Sequence, residues 1–560
     1  MRKIIECVPN ISEGRDQEKI KAIVDAAARV PGVTMLDVDS GADTNRTVIT
    51  FAGSPQAVLD GAFELIKSAA SLIDMRQHKG EHPRMGATDV CPFVPVSGVT
   101  MEECAELARK LGERVGSELK IPVYLYEAAA SRPERKSLAE IRKGEYEALE
   151  EKLRDVFWKP DFGPAIFNAQ AGASVIGARP FLIAYNINLN TKNKKLATEL
   201  AQEIREIGKP VRDANGEIVK DSKGEKVMQP GRFKECRAVG WYIETFGCAQ
   251  VSINLTNYQV TNMQHVFDAC DELARAKGLR VTGSELVGLV PKQALLEAGL
   301  HYANKQGAFT AQSESALLQL AVRSLGLAEL APFNISERVL EEKLKMPTPL
   351  ADMTITQFVD ELASDSVAPG GGSVAALAGA LAGALAAMVC ALSHSKPKLA
   401  DQHARYLDLG LIAQHIKDRS LKAIDDDTSA FNAVIAAMRA VPKGVAKDSV
   451  EYLQGRGKVE LAYQRAIDVP FSVVRLAAEA LEIGRDIAKY GLEQALSDVA
   501  VAGLMAKAAL IGAGYNVKIN LKEISDQAYV TKSLAELQDL TAQAEKSLSE
   551  LLKVVDQRLS

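Results

Sequence analysis

The chain has 560 residues, of which 47% are hydrophobic and 25% are charged, and a formal net charge of −5. A chain this long exceeds what one hydrophobic core supports, so two to four domains of ordinary globular composition are expected. The small negative charge argues against a general nucleic-acid-binding protein, which normally has a basic surplus.

Up to about residue 350, runs rich in β-branched and aromatic residues alternate with amphipathic helical patterns. The predicted strands lie at 3–11, 33–40, 47–53, 89–96, 121–129, 181–189, 248–258 and 280–290, and the predicted helices at 55–73, 100–117, 192–207, 262–277 and 291–305. This order predicts an α+β fold with two α/β subdomains, 1–180 and 181–330, whose sheets are covered by helices on one face. The polar segment 211–232 contains two glycine turn signals and predicts a surface hairpin.

Residues 331–350 predict a linker because prolines interrupt the helical pattern there. From 351 to 560 no strand pattern occurs, and alanine, leucine and charged residues recur at helical spacing, which predicts an all-α bundle. Within it, 374–392 carries no charge and has Gly379 and Gly383 in GxxxG spacing, as in packed transmembrane helices. Because nearly half of this run is alanine, we favour a helix buried between close-packed neighbours and expect no membrane partner.

The seven cysteines are scattered and form no CxxC pair. This pattern is typical of free thiols in a reducing compartment and argues against a thiolate zinc cluster. The chain opens without a charged-then-apolar leader, since the sequence turns polar after a few apolar residues. We therefore expect a cytoplasmic protein.

Residues 78–82 read H-x-x-E-H, the inverted zinc-protease motif. A metallohydrolase would use His78, Glu81 and His82. Chelation needs a helix under both histidines, but Gly80 lies between them and Pro83 disfavours helical backbone at His82. We therefore expect no metal here, and a loop imidazole that titrates near pH 6.5 suits proton transfer at neutral pH. A purely structural histidine is the alternative that spacing alone leaves open.

Motifs in both halves of the chain resemble those of one enzyme family. VPNISEGRD (8–16), DVDSGADTNRTVITF (37–51), GEHPRMGATDVCPFVPV (80–96), DFGPAIFNAQAGASVIGARPFLIAYNINL (161–189) and GSELVGLVP (283–291) look like its formiminotransferase module. APGGGSVAALAGALA (368–382), AIDDDTSAFNAV (423–434) and YNVKINL (515–521) look like its cyclodeaminase module. The chain thus resembles the formimidoyltransferase–cyclodeaminase family over essentially its whole length, with formiminotransferase subdomains at 1–180 and 181–330 and a cyclodeaminase domain at 351–560.

This resemblance implies a bifunctional folate enzyme of histidine degradation. A formimino group would move from N-formimidoyl-L-glutamate to N5 of tetrahydrofolate, and 5-formimidoyltetrahydrofolate would then close to 5,10-methenyltetrahydrofolate with release of ammonia. The family's catalytic histidine matches His82, to which we assign the roles of general base and then general acid. Its catalytic aspartate matches Asp427, an acid for the departing ammonia. Since consecutive helical residues fan out by 100°, at most one or two of Asp425, Asp426 and Asp427 can face the site.

The same resemblance implies further site residues. Orientation of the imidazole or binding of substrate carboxylates is predicted for Asp39, Asn45, Arg46 and Arg84. The folate-binding segment of the family corresponds to Gly163, Pro164, Ala165, Ile166, Phe167, Asn168, Ala169, Gln170, Ala171 and Gly172. In it Phe167 offers a stacking face, and Asn168 and Gln170 suit the pterin edge.

A glycine-rich turn before the apolar helix comprises Gly370, Gly371, Gly372 and Ser373. Ser373 is predicted to cap that helix, and the turn to receive a folate glutamyl carboxylate or to lie beside the pterin. Further candidates are Asp498, Asn516 and Asn520.

The expected co-substrate is polyglutamylated tetrahydrofolate, without a metal or nucleotide cofactor, since the glycine-rich turn lacks the GK[ST] of a nucleotide loop. Partners would be the small-molecule substrates and further copies of the chain, because the family forms dimer-based assemblies up to an octamer. Three alternatives stay open: the zinc metallohydrolase, a formyl-transferring relative with a non-catalytic oligomerisation domain, and a scaffold whose helical half only oligomerises.

Overall fold

A computed structural model describes residues 3–42, 44–80, 82–244, 246–344, 349–366, 368–442, 446 and 448–560. The chain divides into two compact units, Met1–Gly299 with Leu318–Lys345, and Leu300–Leu317 with Met346–Ser560. The first unit contains the three sheets of the described residues and the second is helical, which confirms the predicted multidomain fold class.

The first sheet has seven strands. They are β1 (Ile4–Cys7), β2 (Asn10–Ile11), β3 (Val33–Gly41), β4 (Arg46–Gly53), β5 (Thr88–Ser97), β6 (Val123–Glu127) and β7 (Ser174–Ala178). The helices among them are α1 (Gln17–Ala28), α2 (Pro55–Leu72), α3 (Met101–Arg114), α4 (Leu138–Arg142) and α5 (Leu149–Arg154). β1 and β2 both pair with β4 and β5, β3 pairs with β4, and β5, β7 and β6 run parallel.

Alternate residues of the parallel strands face two different cores, as the two-residue period of a strand requires. Cys91 and Ile176 belong to the core formed with α1, α2 and α3. Val90 and Val175 pack on the opposite side, in a second cluster with α4 and α5. Helices therefore cover both faces of these strands, and the prediction of one covered face was wrong here.

The remaining strands are β8 (Ile183–Leu189), β9 (Lys209–Pro210), β10 (Met228–Gln229), β11 (Cys236–Ile243), β12 (Cys248–Leu255) and β13 (Val281–Val287). β9 and β10 form a two-stranded sheet of their own, and the other four strands form an antiparallel sheet in the order β11-β12-β8-β13. Helices α6 (Lys194–Ile204), α7 (Met263–Ala276), α8 (Lys292–Lys305) and α9 (Glu314–Ser324) follow. α6 packs so closely on β11 that a Cβ at Gly240 would overlap the backbone of Thr198.

The segment predicted as one surface hairpin, 211–232, forms two tight turns instead. Gly216 and Gly224 have φ of 84° and 81°, the left-handed conformation that a turn glycine supplies. Val211, Val219 and Val227 close a ring of three main-chain hydrogen bonds of 2.8 to 2.9 Å. The two turns therefore project from one junction above the short β9–β10 pair.

Part of the predicted linker, 331–350, is ordered secondary structure. It contains α10 (Ile335–Arg338) and α11 (Leu340–Lys343), and Leu340 is buried. An isolated bridge between Val290 and Val339 ties it to the first unit. Residues 345–348 of this prediction lie outside the described residues, and 300–317, predicted to belong to the second subdomain, group with the helical unit.

The helical unit contains α12 (Ile355–Leu362), α13 (Gly371–His394), α14 (His403–Ala440), α15 (Val450–Tyr490), α16 (Leu496–Leu521) and α17 (Gln527–Leu559). Among the described residues, two helices could cross a membrane by length and composition alone, Gly371–His394 and Glu493–Leu521. Both contribute to one apolar core with α14, α15 and α17. A Cβ at Gly383 would lie 2.7 Å from the Lys417 nitrogen of α14, so the predicted close approach of neighbouring helices is confirmed there.

Candidate active sites

His82 lies in the loop between α2 and β5, where the backbone is not helical, as predicted. The half-buried imidazole has Nδ1 2.8 Å from the carbonyl oxygen of Pro83. Since a carbonyl oxygen only accepts, Nδ1 carries the hydrogen and the lone pair is on Nε2. Burial first, and then the charge of Arg46, lower the pKa of His82 below the usual 6.5. At neutral pH the side chain is therefore uncharged and has a basic nitrogen.

His78 uses both ring nitrogens in hydrogen bonds. Nε2 lies 2.9 Å from the carbonyl oxygen of Asn45 and donates to it, and Nδ1 accepts from Nε of Arg84 at 3.2 Å. No lone pair is left for a metal, which argues against the zinc alternative. Its third residue, Glu81, lies outside the described residues, and the described part of the chain holds no group of three or more metal-ligating side chains.

Asn45 connects the loops around His82. Its φ of 49° is left-handed, a conformation that asparagine tolerates better than most residues. Oδ1 accepts from the Gly14 N–H and Nδ2 donates to the Lys79 carbonyl, both at 3.0 Å. Asn45 is thus placed to position the loop between α2 and β5, which carries His78 and His82 and which we call the histidine loop. Asp39 lies on the exposed side of β3, and among the described residues no hydrogen bond joins it to this loop.

A buried carboxylate shared by two arginines lies beside this loop. Asp89 is 0% exposed, and one of its oxygens accepts from Arg46 at 2.6 Å. Arg142, the last residue of α4, donates to the same carboxylate. The other oxygen of Asp89 accepts from the Met85 N–H at 3.0 Å, which fixes the backbone three residues after His82. Sequence reasoning missed Arg142, since α4 carries no motif.

Arg84 has partners other than a substrate. Its guanidinium donates to Glu145 at 3.0 Å and to Glu147 at 2.6 Å and 2.9 Å. Two glutamates neutralise this arginine in the structure. Its predicted role, to orient the imidazole or hold a substrate carboxylate, stays a prediction. A cleft of about 670 Å³ is lined by Met75, Arg76, His78, Lys79, Gly80, Arg84, Gly144, Glu145, Tyr146 and Glu147.

The predicted folate segment, 163–172, is a loop that leads into β7 and lies against the histidine loop. Gly163 and Gly172 have φ of 80° and 67°, and a Cβ at Gly172 would overlap the Met85 carbonyl oxygen. The Ala87 N–H donates to the Ala171 carbonyl at 2.8 Å. The structure thus places the predicted folate segment in contact with the loop that carries His82.

Inside this loop the two amide side chains serve the main chain. Oδ1 of Asn168 accepts from the Ala171 N–H at 2.9 Å, and Nε2 of Gln170 donates to the Ala70 carbonyl at 3.1 Å. Those bonds use one polar atom of each amide, and the predicted contacts of Asn168 and Gln170 with a pterin edge stay a prediction. Phe167 is half-buried, with its ring centroid 5.5 Å from that of Tyr146.

The three consecutive aspartates of α14 have three different environments. Asp425 accepts from the Leu350 and Ala351 N–H groups at 2.9 and 3.1 Å. Asp426 forms an exposed ion pair with Lys422. Asp427 lies against the first turn of α13, where burial raises the pKa of its carboxyl and the backbone N–H of Ser373 partly opposes this. Of the three, Asp427 is the one that faces the glycine-rich turn.

The glycine-rich turn differs from its prediction. α13 begins at Gly371 with Gly370 as N-cap, so Ser373 lies inside the first turn and does not cap the helix. Its buried hydroxyl donates to the Ile424 carbonyl at 2.9 Å. The carboxylate of Asp427 lies so close to Gly372 that a Cβ there would overlap it. Since the Asp427 carboxyl already lies at this helix N-terminus, it would compete there with a folate carboxylate. That the turn receives a folate carboxylate or lies beside the pterin stays a prediction.

Replacing Gly372 with alanine should displace Asp427 and slow the reaction at this site about 10²-fold, since misplacement by an ångström has effects of that order. Gly457→Ala is the matched control, because nothing lies within 4 Å of a Cβ at that position in α15. Ring closure of supplied 5-formimidoyltetrahydrofolate, followed by methenyl absorbance, measures the effect. Equal rates for the two variants would contradict it.

The remaining candidate residues of the helical unit lie in different parts of the bundle. Nδ2 of Asn516 lies 3.7 Å from the Cβ position of Gly371, next to Asp427's turn. Asn520 instead donates to the Ala466 carbonyl of α15 at 2.9 Å. Asp498 lies in the first turn of α16, about 27 Å along the helix axis from Asn516, so it belongs to another part of the bundle.

Family models match three successive segments: "Formiminotransferase domain, N-terminal subdomain" at 4–179, "Formiminotransferase domain" at 184–345 and "Formiminotransferase-cyclodeaminase" at 354–539. A formimidoyltransferase-cyclodeaminase of Dictyostelium discoideum is 41% identical over 562 residues, covering 100% of both chains. A glutamate formimidoyltransferase of Streptococcus pyogenes serotype M1 is 42% identical over 54% of this chain and 94% of its own. A methenyltetrahydrofolate cyclohydrolase of Methylorubrum extorquens is 34% identical over 34% of this chain and 90% of its own.

Proposed function

The chain belongs to the formimidoyltransferase–cyclodeaminase family, and from that premise we propose which residues carry out its two reactions. The protein is a bifunctional folate enzyme of histidine degradation. It transfers the formimino group of N-formimidoyl-L-glutamate to N5 of tetrahydrofolate and then closes 5-formimidoyltetrahydrofolate to 5,10-methenyltetrahydrofolate with release of ammonia. The observation that supports our assignment is that each unit has one candidate for proton transfer outside an ion pair. His82 bonds the backbone of its own loop, and Asp427 lies against the first turn of α13.

In the transfer, His82 acts as base and then as acid. N5 of tetrahydrofolate attacks the amidine carbon and must lose a proton, which Nε2 accepts. The same nitrogen then protonates the departing glutamate nitrogen as the tetrahedral intermediate collapses. The Pro83 carbonyl holds the other ring hydrogen, so the imidazole presents the same nitrogen in both steps. The loop 163–172, packed on the histidine loop, binds the folate in this proposal.

The lowered pKa of His82 predicts the pH dependence of the transfer. Only the neutral imidazole is a base, so kcat/KM should fall on acidification, with a midpoint below 6.5. Initial rates of transfer between pH 5 and 8 measure this limb. A midpoint above 6.5 would contradict the environment described for His82.

In the ring closure, N10 attacks the formimino carbon and ammonia leaves once protonated. Asp427 donates that proton in our proposal, since burial keeps its carboxyl protonated at higher pH than an exposed aspartate. Once ionised, the carboxylate also favours the cationic methenyl product electrostatically.

We propose further that the folate is polyglutamylated, that neither reaction needs a metal or nucleotide, and that the protein is cytoplasmic. Cell fractionation tests the last point, and the others are tested by folate chain-length series and by activity after chelation.

We also propose dimer-based homo-oligomers up to an octamer. Support comes from exposed apolar side chains on α13 and α16, namely Leu381, Met388, Leu392, Leu504, Ile511, Tyr515 and Ile519. Light scattering of the Leu381→Glu variant would test this, and an unchanged mass would count against that surface.

An anaerobic assay with N-formimidoyl-L-glutamate and tetrahydrofolate tests the whole proposal. Methenyl absorbance and ammonia should appear together in equal amounts. Transfer from formylglutamate without ammonia would instead favour the formyl-transferring alternative. Hydrolysis of N-formimidoyl-L-glutamate without methenyl formation, abolished by chelation and restored by zinc, would favour the metallohydrolase.

A further inference from the structure

The cationic side chains around the histidine loop differ in how far they are neutralised. Arg84 faces two glutamates, and Arg76 forms a two-point ion pair with Asp74. Asp89, by contrast, is one carboxylate between two guanidiniums, so the group Arg46–Asp89–Arg142 has a net charge of +1. The side chains of the two arginines are only 8% and 14% exposed. A buried surplus charge is costly unless an anion compensates it.

We propose that this group, which we call the Arg–Asp–Arg group, binds the α-carboxylate of the formimidoylglutamate donor. Arg142 is thereby a substrate-binding residue that determines specificity for a 2-amino acid donor. The inference rests on the proposed function, because it assumes that the transfer takes place at His82.

The geometry favours the α-carboxylate over the γ-carboxylate of the donor. In formimidoylglutamate the reacting nitrogen is bonded to Cα, so the α-carboxylate is two bonds from the atom that His82 must protonate. Asp89 binds the Met85 N–H, which places the Arg–Asp–Arg group next to the backbone that carries His82. Planar guanidiniums also match a carboxylate with two parallel hydrogen bonds, which a lysine cannot provide.

The energetic expectation follows from the charge on both partners. A hydrogen bond between charged groups contributes enough that its loss lowers kcat/KM about 10- to 100-fold. Arg142→Met should therefore raise the KM for the donor by that factor and leave the KM for tetrahydrofolate within about twofold. Arg142→Lys keeps the charge but not the two-point geometry. Its KM for the donor should therefore lie between those of the parental protein and of Arg142→Met.

Two shortened donors decide which carboxylate is bound. N-formimidoyl-4-aminobutyrate lacks the α-carboxylate, and N-formimidoyl-2-aminobutyrate lacks the γ-carboxylate. With the first donor, the parental protein and Arg142→Met should differ by less than about threefold, because the interacting group is already missing from the substrate. With the second donor, the full effect of the substitution should persist.

The controls separate this inference from effects on folding and from the proposed function. Arg114→Met removes another ion-paired arginine of the first unit, bonded to Asp60 at 2.8 Å, and should leave donor KM unchanged. If Arg142→Met does not fold, the Arg142→Lys series with the same two donors gives the answer. An effect that persists without the α-carboxylate, or that vanishes without the γ-carboxylate, overturns the inference while the proposed function stands. Absence of transfer in the parental protein overturns both.

Discussion

His82→Ala should lower kcat of the formimino transfer about 10²- to 10⁴-fold, the range that a positioned general base contributes. The reason is the single free nitrogen: Nδ1 is fixed by the Pro83 carbonyl, and no second neutral imidazole nitrogen is free in His78. Ring closure should continue at the parental rate, because Asp427 belongs to the other unit. Separate assays with formimidoylglutamate and with supplied 5-formimidoyltetrahydrofolate measure both expectations on one preparation.

His78→Gln is the matched control for this substitution. His78 bonds Asn45 and Arg84, so its loss should lower the thermal stability of the first unit. The acidic limb of the transfer rate should keep its midpoint, since the titrating group is unchanged. Equal loss of activity in both variants, together with stoichiometric zinc in the parental protein, would instead mean that the histidines bind a metal as a pair.

The sequence alone predicted the backbone of the first site better than its charges. Gly80 and Pro83 excluded a helix under His82 through local sterics, which act within a few residues. The ion-pair partners of Arg84 are Glu145 and Glu147, more than sixty residues further along the chain, and no local pattern encodes such a contact. The Arg–Asp–Arg group was missed for the same reason, since Arg142 lies in a five-residue helix without periodicity.

The fold shows a similar division between local and tertiary effects. Most of the longer strands were predicted, whereas β7 and β11 were missed. All five residues of β7 are buried and show no two-residue period, and in β11 the exposed face carries the apolar Val239 and Trp241, which hide the period. The proline-rich segment 331–350 indicated a linker, but burial of Leu340 against the first unit overrides this composition. Along α14 the 100° rotation per residue predicted that few of the aspartates face one side, and only the packing on α13 selects Asp427.

Asp427→Asn should lower ring closure about 10²- to 10⁴-fold and leave the transfer unchanged, so that 5-formimidoyltetrahydrofolate accumulates. Asparagine keeps the shape of the side chain and can still accept from Ser373, but it has no proton to give to ammonia. Single-turnover reactions that separate the formimidoyl and methenyl forms by absorbance measure the two steps.

The neighbouring aspartates provide matched controls within three residues. Asp426→Asn removes an exposed ion pair with Lys422 and should change neither rate nor stability appreciably. Asp425→Asn weakens the acceptor of the Leu350 and Ala351 N–H groups, so it should cost about 1–3 kcal/mol of stability and leave the rate of the folded protein intact. Because the three substitutions are chemically identical, a loss of ring closure in Asp427→Asn alone assigns the proton to that carboxyl. If Asp426→Asn or folded Asp425→Asn proved equally slow, the acid would have to be sought elsewhere in the bundle.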